Sequence, residues 1–370
     1  MHLTLHLTNK CNLNCKYCFV PLGGQSMTRE IAFAAVRLGM EDKKTSGLLF
    51  YGGEPLIERQ LIYDIVEYTK KLKQETGHTF FYKMTTNGIL LDEDFLEFSR
   101  DINMSIGFSH DGPAQDDCRL FSNGDKTAEI LEEKISLLLK YHPHAVAMSV
   151  VDPSTVHKAS EIVKFLSDKG FRYISLNLNY DDAAKWTIEH FKILEQEYKK
   201  MAKLYGEWTT AEKKFYLSPF DVKIISYLKG EKYHEDRRRM NREQPSIAPD
   251  GKIYPGSRYI DQPAFSIGDV FSGIDDNKRE DIEKRGDIPP AACAECALIT
   301  RCNYVYGSLF ADKEGAIIAK ISPVQCAHER LLTPVADRVA EKLYKKRNAL
   351  FIHKHYNELY SVISLAEDKS

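Results

Sequence analysis

The sequence predicts an α/β protein built on a parallel sheet with helical crossovers, open or barrel-like, and three observations carry that expectation. Six short runs rich in β-branched and aromatic residues recur through the first half: Leu3–Thr8, Gly47–Tyr51, Phe80–Thr85, Met104–Ser109, Ala145–Val151 and Tyr173–Leu178. Segments with a helical period separate them, the pattern of strands joined by crossover helices. The residues least suited to a core follow the strands in turn. A cysteine loop comes after the first, Gly52-Gly53-Glu54-Pro55 after the second, Thr86-Asn87-Gly88 after the third and Ser109-His110-Asp111-Gly112-Pro113 after the fourth. In parallel α/β folds chemistry gathers at the carboxyl ends of the strands.

The helical segments justify themselves by their stripes. Ile62, Ile65, Val66 and Leu72 form one, and Leu131, Ile135, Leu138 and Leu139 another. Thr155–Lys169 sets Ala159, Ile162, Val163 and Leu166 on one face, with Ser154 as the expected N-cap and Gly170 just past the end. A further helix is expected from about Ala183 to Tyr205. Asp236-Arg237-Arg238-Arg239-Met240-Asn241-Arg242 then reads as a solvated basic helix face, with contact to an anionic substrate as the lesser reading. Ser246–Tyr254 reads as a hairpin, because Asp250-Gly251 supplies the positive φ angles of a tight turn. Leu331–Arg347 closes the chain as a charged amphipathic helix. The expected organisation is a barrel-like domain over 1–215, a helical linker over 216–245, a cysteine-rich domain over 246–330, and a helix and tail over 331–370.

The bulk numbers exclude several classes. At 370 residues, 43% hydrophobic and 28% charged, the chain is an ordinary globular protein. A net charge of -2 gives no general attraction to nucleic acid or an anionic membrane. No apolar run approaches the ~20 residues of a membrane span. Met1-His2-Leu3-Thr4 does not open a secretion signal, so a cytoplasmic location is expected. The eight cysteines fall as three, one and four, in metal-ligand spacings rather than a disulfide framework.

Cys11, Cys15 and Cys18 place three thiolates on one short loop. Three thiolates cannot close a tetrahedral site, and no His or Cys stands beside them to make a structural zinc knuckle. An iron–sulfur cluster with one open iron, free to hold a small molecule, fits better. Cys293, Cys296, Cys302 and Cys326 form a complete four-thiolate set, which taken alone reads as a zinc ribbon.

With Tyr17 before the last cysteine of the loop and Gly-Gly-Glu-Pro after the second strand, the chain resembles the radical S-adenosylmethionine (SAM) superfamily. The resemblance implies a partial (β/α)6 TIM-like barrel and a [4Fe–4S] cluster on Cys11, Cys15 and Cys18, whose open iron binds the methionine moiety of SAM. It assigns the methionine amine to Gly52, Gly53, Glu54 and Pro55. The glycines would let backbone approach the ligand, and Glu54 would accept from the ammonium. Asn87, Ser109 and Asp111 offer polar contacts to the ribose and amino-acid parts, Tyr17 and Phe19 are the aromatic candidates beside the adenine, and Arg119 is the candidate for the carboxylate. For Ser109 and Arg119 a purely structural role competes closely.

Beside that loop, the four-cysteine set resembles the small α+β SPASM or twitch domain of peptide-modifying radical enzymes, which implies an auxiliary [4Fe–4S] cluster. The departures are specific. Gly256 follows Tyr254-Pro255, Tyr306 stands three residues beyond the residue after Cys302, and no cysteine occurs from 119 to 292. The inner auxiliary cluster of full SPASM domains is therefore expected to be missing. Ser257 stands where sulfatase-maturing relatives carry an aspartate base. The vacated space, with Gly256, Ser257, Arg258 and Tyr306, would admit a larger substrate. Cys118 is the candidate for a hydrogen-atom donor, against the plainer reading of a small apolar residue in packing. Tyr180 and Trp186 are candidates for a substrate channel or for the core.

The expectation that follows is a radical SAM enzyme that modifies a peptide or protein, with an oxidative crosslink (thioether or carbon–carbon) as first choice, because the auxiliary cluster offers a sink for an electron. Oxidation and epimerisation are the other outcomes the resemblance allows. The expected partners are the peptide or protein substrate and an electron donor such as flavodoxin or ferredoxin. Because the first strand begins at Leu3, no fused winged-helix domain is expected, and leader recognition falls to the chain's own surface or a separate partner. Neither a membrane nor nucleic acid is an expected partner. Two rival classes are a superfamily enzyme acting on a small molecule or nucleobase, hinted at by Arg237–Arg239, and a non-catalytic adaptor with zinc sites.

Overall fold

The computed structural model describes all residues except 42–43, 234, 237–242, 304–308, 358 and 361–370. Six parallel strands lie side by side in chain order: β1 (His2–Thr8), β2 (Thr45–Gly52), β3 (Thr79–Thr86), β4 (Ser105–Ser109), β5 (Val146–Val151) and β6 (Tyr173–Leu178). Helices α1 (Arg29–Gly39), α2 (Arg59–Thr76), α3 (Glu93–Asp101), α4 (Ala128–Tyr141) and α5 (Ala159–Asp168) supply the crossovers. Strand β7 (Tyr216–Leu217) extends one edge, parallel to β6. At the other edge β8 (Ser246–Ile247) pairs parallel with β1, then continues antiparallel through β9 (Lys252–Tyr254), β10 (Gly268–Asp269) and β11 (Gly273–Ile274). The α/β class and the parallel core are as the sequence predicts. Four strands of the cysteine-rich region, however, belong to the same eleven-stranded sheet, while Leu309–Ala311 and Ile317–Ala319 form an antiparallel hairpin of their own.

Alternation along the strands divides the sheet into two faces. Leu48, Phe50, Tyr82, Met84, Ile106, Phe108, Ala147, Ile174 and Leu176 are buried beneath the helices. The Tyr82 hydroxyl reaches Thr69 of α2 at 2.7 Å. Each buried phenylalanine contributes about 1.5–3 kcal/mol relative to exposure. The opposite face holds His6 edge-on to Tyr51 at 5.1 Å, with Thr85 and Met148 in contact and Phe81 more than half exposed. That inner face is an open, mixed surface beneath the strand ends.

Several local expectations change. The segment predicted to be one helix from Thr155 opens as a 3-10 turn over Pro153–Lys158, capped by Asp152 rather than Ser154. Pro153 fixes the chain at the first turn position, and the Asp152 carboxylate accepts from Ser154 N–H at 3.0 Å. In the 246–254 hairpin only Gly251 has positive φ (+92°), so Asp250 does not share the left-handed role. The expected helical stretch from Ala183 is α6 (Ile188–Thr210), started by Thr187. Within the expected linker, α7 (Ser218–Lys229) buries Phe220, Lys223 and Ile224 against the body. The boundary at 330/331 falls inside one helix, α9 (Pro323–Lys345), because its first two turns carry cysteine, histidine and glutamate where a sequence reader looks for aliphatics. Between these lies α8 (Asp276–Asp287), and α10 (Ala349–Tyr356) follows. Among the described residues no helix is long and apolar enough to cross a membrane.

The α10 helix is tied down by a buried ion pair. Lys354 reaches Asp221 of α7 at 2.7 Å, with side-chain exposures of 8% and 0%. Asp221 also accepts from the Tyr205 hydroxyl and from Leu217 N–H, each at 2.7 Å, and the Lys354 ammonium lies 4.2 Å from the centre of the Phe215 ring. Removing one partner of such a pair leaves a buried charge uncompensated. Asp221→Ala should therefore destabilise the fold by about 3–5 kcal/mol, read from the denaturant midpoint; a loss below about 1 kcal/mol would mean that the pair behaves as an exposed one.

Candidate functional site

The cysteine loop leaves β1 and is held mainly by backbone. Leu13–Cys15 pairs antiparallel with Arg119–Phe121, setting Cys15 opposite Arg119, and Lys16 N–H donates to the Cys118 carbonyl at 3.0 Å. From the turn after β2, Gly53 N–H donates to Thr8 O at 2.8 Å and Glu54 N–H to Lys10 O at 2.9 Å. A Cβ on Gly52, where φ is +128°, would stand 2.4 Å from Thr8 O, and one on Gly53 would stand 2.2 Å from Lys10 O. The space these glycines leave on this side is filled by the backbone of the cysteine loop.

Glu54 is fully buried and joins three segments. Its carboxylate accepts from Leu56 N–H at 3.0 Å, the Thr86 hydroxyl at 2.8 Å and Asn87 N–H at 2.7 Å. Pro55 opens the 3-10 turn that Glu54 caps. Burial raises the Glu54 carboxyl to about 6, against the lowering effect of those donors. The Asn87 side-chain amide donates to Asn12 Oδ1 at 2.7 Å and reaches Cys11 Sγ at 3.8 Å, while Leu13 N–H points at the same sulfur from 3.4 Å.

Tyr17, Asp111 and Arg119 form a second buried knot. The Tyr17 hydroxyl donates to Asp111 and accepts from Arg119 Nη1 at 2.9 Å. Asp111 further accepts from Ser149 Oγ at 2.9 Å and Val150 N–H at 3.0 Å. Burial raises the Asp111 carboxyl, opposed first by the Arg119 charge. Tyr17 is thus a strut between loop and sheet, and its hydroxyl is committed. Phe19 is 54% exposed and stacks on Tyr51 at 6.4 Å. Ser109 ends β4 on the inner face, opposite Met148. Cys118 is 1% exposed beneath the loop, and burial pushes its thiol up to about 12. Nothing outside reaches that sulfur in this arrangement.

Burial raises the Cys11 thiol to about 11 and also raises that of Cys15, with the neighbouring thiols adding to the shift. Arg119 Nε and Asn9 Oδ1 are buried without a partner among the described residues. No three His, Cys, Asp or Glu side chains among those residues stand close enough together for a single metal ion. A three-thiolate set ringed by N–H donors, too open for one ion, fits a multinuclear cluster.

The other four cysteines do converge. Cys293, Cys296, Cys302 and Cys326 line one pocket with Leu298, Ile299, Ile321, Glu329 and Arg330. Cys326 sits on the first turn of α9, started by Ser322. Arg330, four residues on and on the same helix face, lines the pocket beside Cys326 and Cys296, which raise its guanidinium. Lys223 is fully buried, pairs with Glu329 and donates to the Arg301 carbonyl at 3.2 Å. His328 bridges the Tyr180 hydroxyl at 2.6 Å and the Tyr198 hydroxyl at 2.7 Å, and burial lowers its ring to about 3. Tyr180 and Trp186 both pack against the core. These supporting residues were missed from sequence; the Cys326-x3-Arg330 spacing was the one legible signal. Where the inner auxiliary cluster was expected to be missing, Ser257 Oγ lies 3.0 Å from Ser246 Oγ and Arg258 stacks 5.1 Å over Phe310. Tyr306 and Arg237–Arg239 lie outside the described residues.

Residues 5–166 match the family model described as the Radical SAM superfamily. The chain is 29% identical over 179 residues to the uncharacterized protein MJ0907 of Methanocaldococcus jannaschii, covering 48% of this chain and 62% of that one. It is 27% identical over 181 residues to a cysteine-type anaerobic sulfatase-maturating enzyme of Clostridium novyi, covering 45% of this chain and 48% of that one. The matched part thus spans about half to three fifths of these relatives. The structure described as native anSMEcpe with bound AdoMet and Cp18Cys peptide superposes with a TM-score of 0.76 at 18% identity, over 93% of this chain and 99% of that one, a likeness of fold.

Two outcomes follow from the loop contacts. Gly53→Ala must displace the Lys10 carbonyl, so its iron and sulfide content after anaerobic reconstitution should fall several-fold while far-ultraviolet dichroism is unchanged; full incorporation would show that the loop tolerates the shift. Glu54 has a folded-state value above the unfolded 4.5, so its bound proton stabilises the fold below about pH 4.5, and that contribution of about 2 kcal/mol is lost as pH rises through about 6. Glu54→Gln should flatten the stability profile across that window, as measured by denaturation at a series of pH values.

Proposed function

With residues 5–166 forming a radical SAM domain, we propose that the chain is a peptide- or protein-modifying radical enzyme with two iron–sulfur sites, forming an oxidative crosslink. The observation that carries the reading is the pairing of a three-cysteine loop at the carboxyl ends of the parallel strands with a complete four-cysteine pocket. Cys11, Cys15 and Cys18 would hold a cluster with an open iron, and Cys293, Cys296, Cys302 and Cys326 a closed one. Bound there, a cluster of this kind would supply the electron for reductive cleavage of SAM and, through it, hydrogen-atom abstraction from the substrate.

The chain's own residues orient and shield. Tyr17, Asp111 and Arg119 hold the loop against the sheet, and Glu54 fixes the Asn87 turn beside Cys11. On the inner face Phe81 stands exposed near the start of β3. Removing a second electron requires an acceptor; a cluster on the four cysteines would supply one, which favours a crosslink over epimerisation. Ser257 in place of an aspartate base argues against maturation of a sulfatase. The four-cysteine pocket stands with a three-cysteine loop that cannot by itself close a tetrahedral zinc site, which supports clusters rather than the zinc sites of an adaptor.

Anaerobic incubation with SAM, a reductant and short peptides encoded beside the gene, read by mass spectrometry, tests the proposal. Loss of the mass of two hydrogen atoms is the expected result; unchanged mass with deuterium uptake would indicate epimerisation, and indifference to every peptide a small-molecule substrate. Cys15→Ala should abolish SAM cleavage, whereas Cys302→Ala should keep cleavage and lose the crosslinked product.

A further inference from the structure

The inner face of the parallel strands carries one fixed charge and nothing to balance it. Taking every second residue on that face from β1 to β6, there is no aspartate or glutamate, and Lys83 of β3 is the one cation. Lys83 is exposed and makes no ion pair among the described residues. Its row across the sheet runs Ser246, Thr4, Leu49, Lys83, Ser105, so its neighbours offer hydroxyls and an aliphatic chain but no carboxylate. His6 stands one row nearer the cysteine loop, in register with Tyr51. It is fully buried, yet neither ring nitrogen has a hydrogen-bond partner among the described residues. Burial lowers the His6 ring to about 3, so it stands neutral, with one N–H and one lone pair to offer. Burial pushes the neighbouring Tyr51 hydroxyl up to about 12, so it too keeps its proton. Polar groups buried without hydrogen bonds are costly, and native proteins leave few of them. Two adjacent rows of one face thus hold a free ammonium and an unsatisfied imidazole, which is a surface completed by a polar ligand.

We propose that this face is a carboxylate subsite, in which Lys83 pairs with an acidic residue of the substrate peptide close to the residue that is modified. The proposal rests on reading the chain as a peptide-modifying enzyme, and it names the kind of peptide. The strand geometry fixes where the acid stands. Asn87, four residues on and just past the end of β3, reaches Cys11 Sγ at 3.8 Å. At about 3.3 Å per residue, Lys83 therefore lies about 13 Å below that contact. An extended peptide advances about 3.3–3.6 Å per residue. With its reacting carbon beside the cysteine loop, its acidic residue falls about two to four positions away, the flexible lysine stem taking up the difference. A bound peptide covers the ammonium and excludes water, which strengthens the pair relative to an exposed one. An amide in place of the acid would leave that ammonium covered and uncompensated.

The test takes the peptide that the mass assay shows to be crosslinked and measures its Kd and KM with the anaerobically reconstituted holoenzyme. Its sequence should hold an aspartate or glutamate within about four residues of the modified position. Replacing that acid by its amide should raise Kd about tenfold or more, with the larger part of the lost kcat/KM in KM. Lys83→Glu should bind the unaltered peptide as weakly, and should regain affinity when the acid of the peptide is replaced by lysine. A merely structural role for Lys83 predicts no such recovery, and iron content with far-ultraviolet dichroism reports that the variant is folded. A crosslinked peptide with no acid in that window, acid and amide peptides bound alike, or no recovery in the swapped pair overturns the subsite. A holoenzyme that binds and crosslinks no peptide overturns instead the reading on which it rests.

Discussion

The contact between the cysteine loop and the Gly52-Gly53 turn is the constraint on which the rest of the site depends. Two backbone hydrogen bonds join segments that arrive from different strands, and they form only because neither turn residue has a Cβ. Once the loop is fixed there, Cys15 can pair opposite Arg119, Tyr17 can reach Asp111, and Asn12 can meet Asn87. Ordering the loop's backbone residues costs about 1–2 kcal/mol each, and these contacts offset part of that cost.

The two cysteine sites differ in the charges around them. Around Cys11, Cys15 and Cys18 the nearest fixed charge is the buried Arg119, which favours the Cys15 thiolate against burial, beside two carboxyls held high by burial. Around the four-cysteine pocket, Arg330 stands at the lining, and the Lys223–Glu329 pair beside it is fully inside and balances its own charge. Cations near sulfur favour added negative charge at either site.

Much of this was legible in the sequence, for physical reasons. The six strands announce themselves because a half-buried strand needs β-branched and aromatic residues, and the ends of β6 fall where predicted. The cysteine spacings are legible because ligands on short loops must lie close in sequence. What was not legible depends on contacts between distant segments. Nothing local marks Gly53 as the neighbour of Lys10, or the Tyr17 hydroxyl as the partner of Asp111 and Arg119. His328 and Glu329 stand in a stretch without an aliphatic stripe, yet both are buried, because partners from Tyr198 and Lys223 arrive from more than a hundred residues earlier. Asp152 displaced Ser154 as cap because Pro153 favours a tighter first turn.

Helix α9 has a consequence for how this architecture can be inherited. Its first two turns carry Cys326, His328, Glu329 and Arg330, while the remainder packs against α6 and α7 at the edge of the parallel sheet. Strand β8, at the head of the cysteine-rich half, is likewise annealed to β1. That half is not a cassette to be exchanged between barrels: a graft would have to bring the sheet edge and its helices with it. A change at a half-buried loop position such as Gly256 leaves both cysteine sets in place, whereas a change in the first two turns of α9 reaches the cysteine pocket and the packing of the helix together.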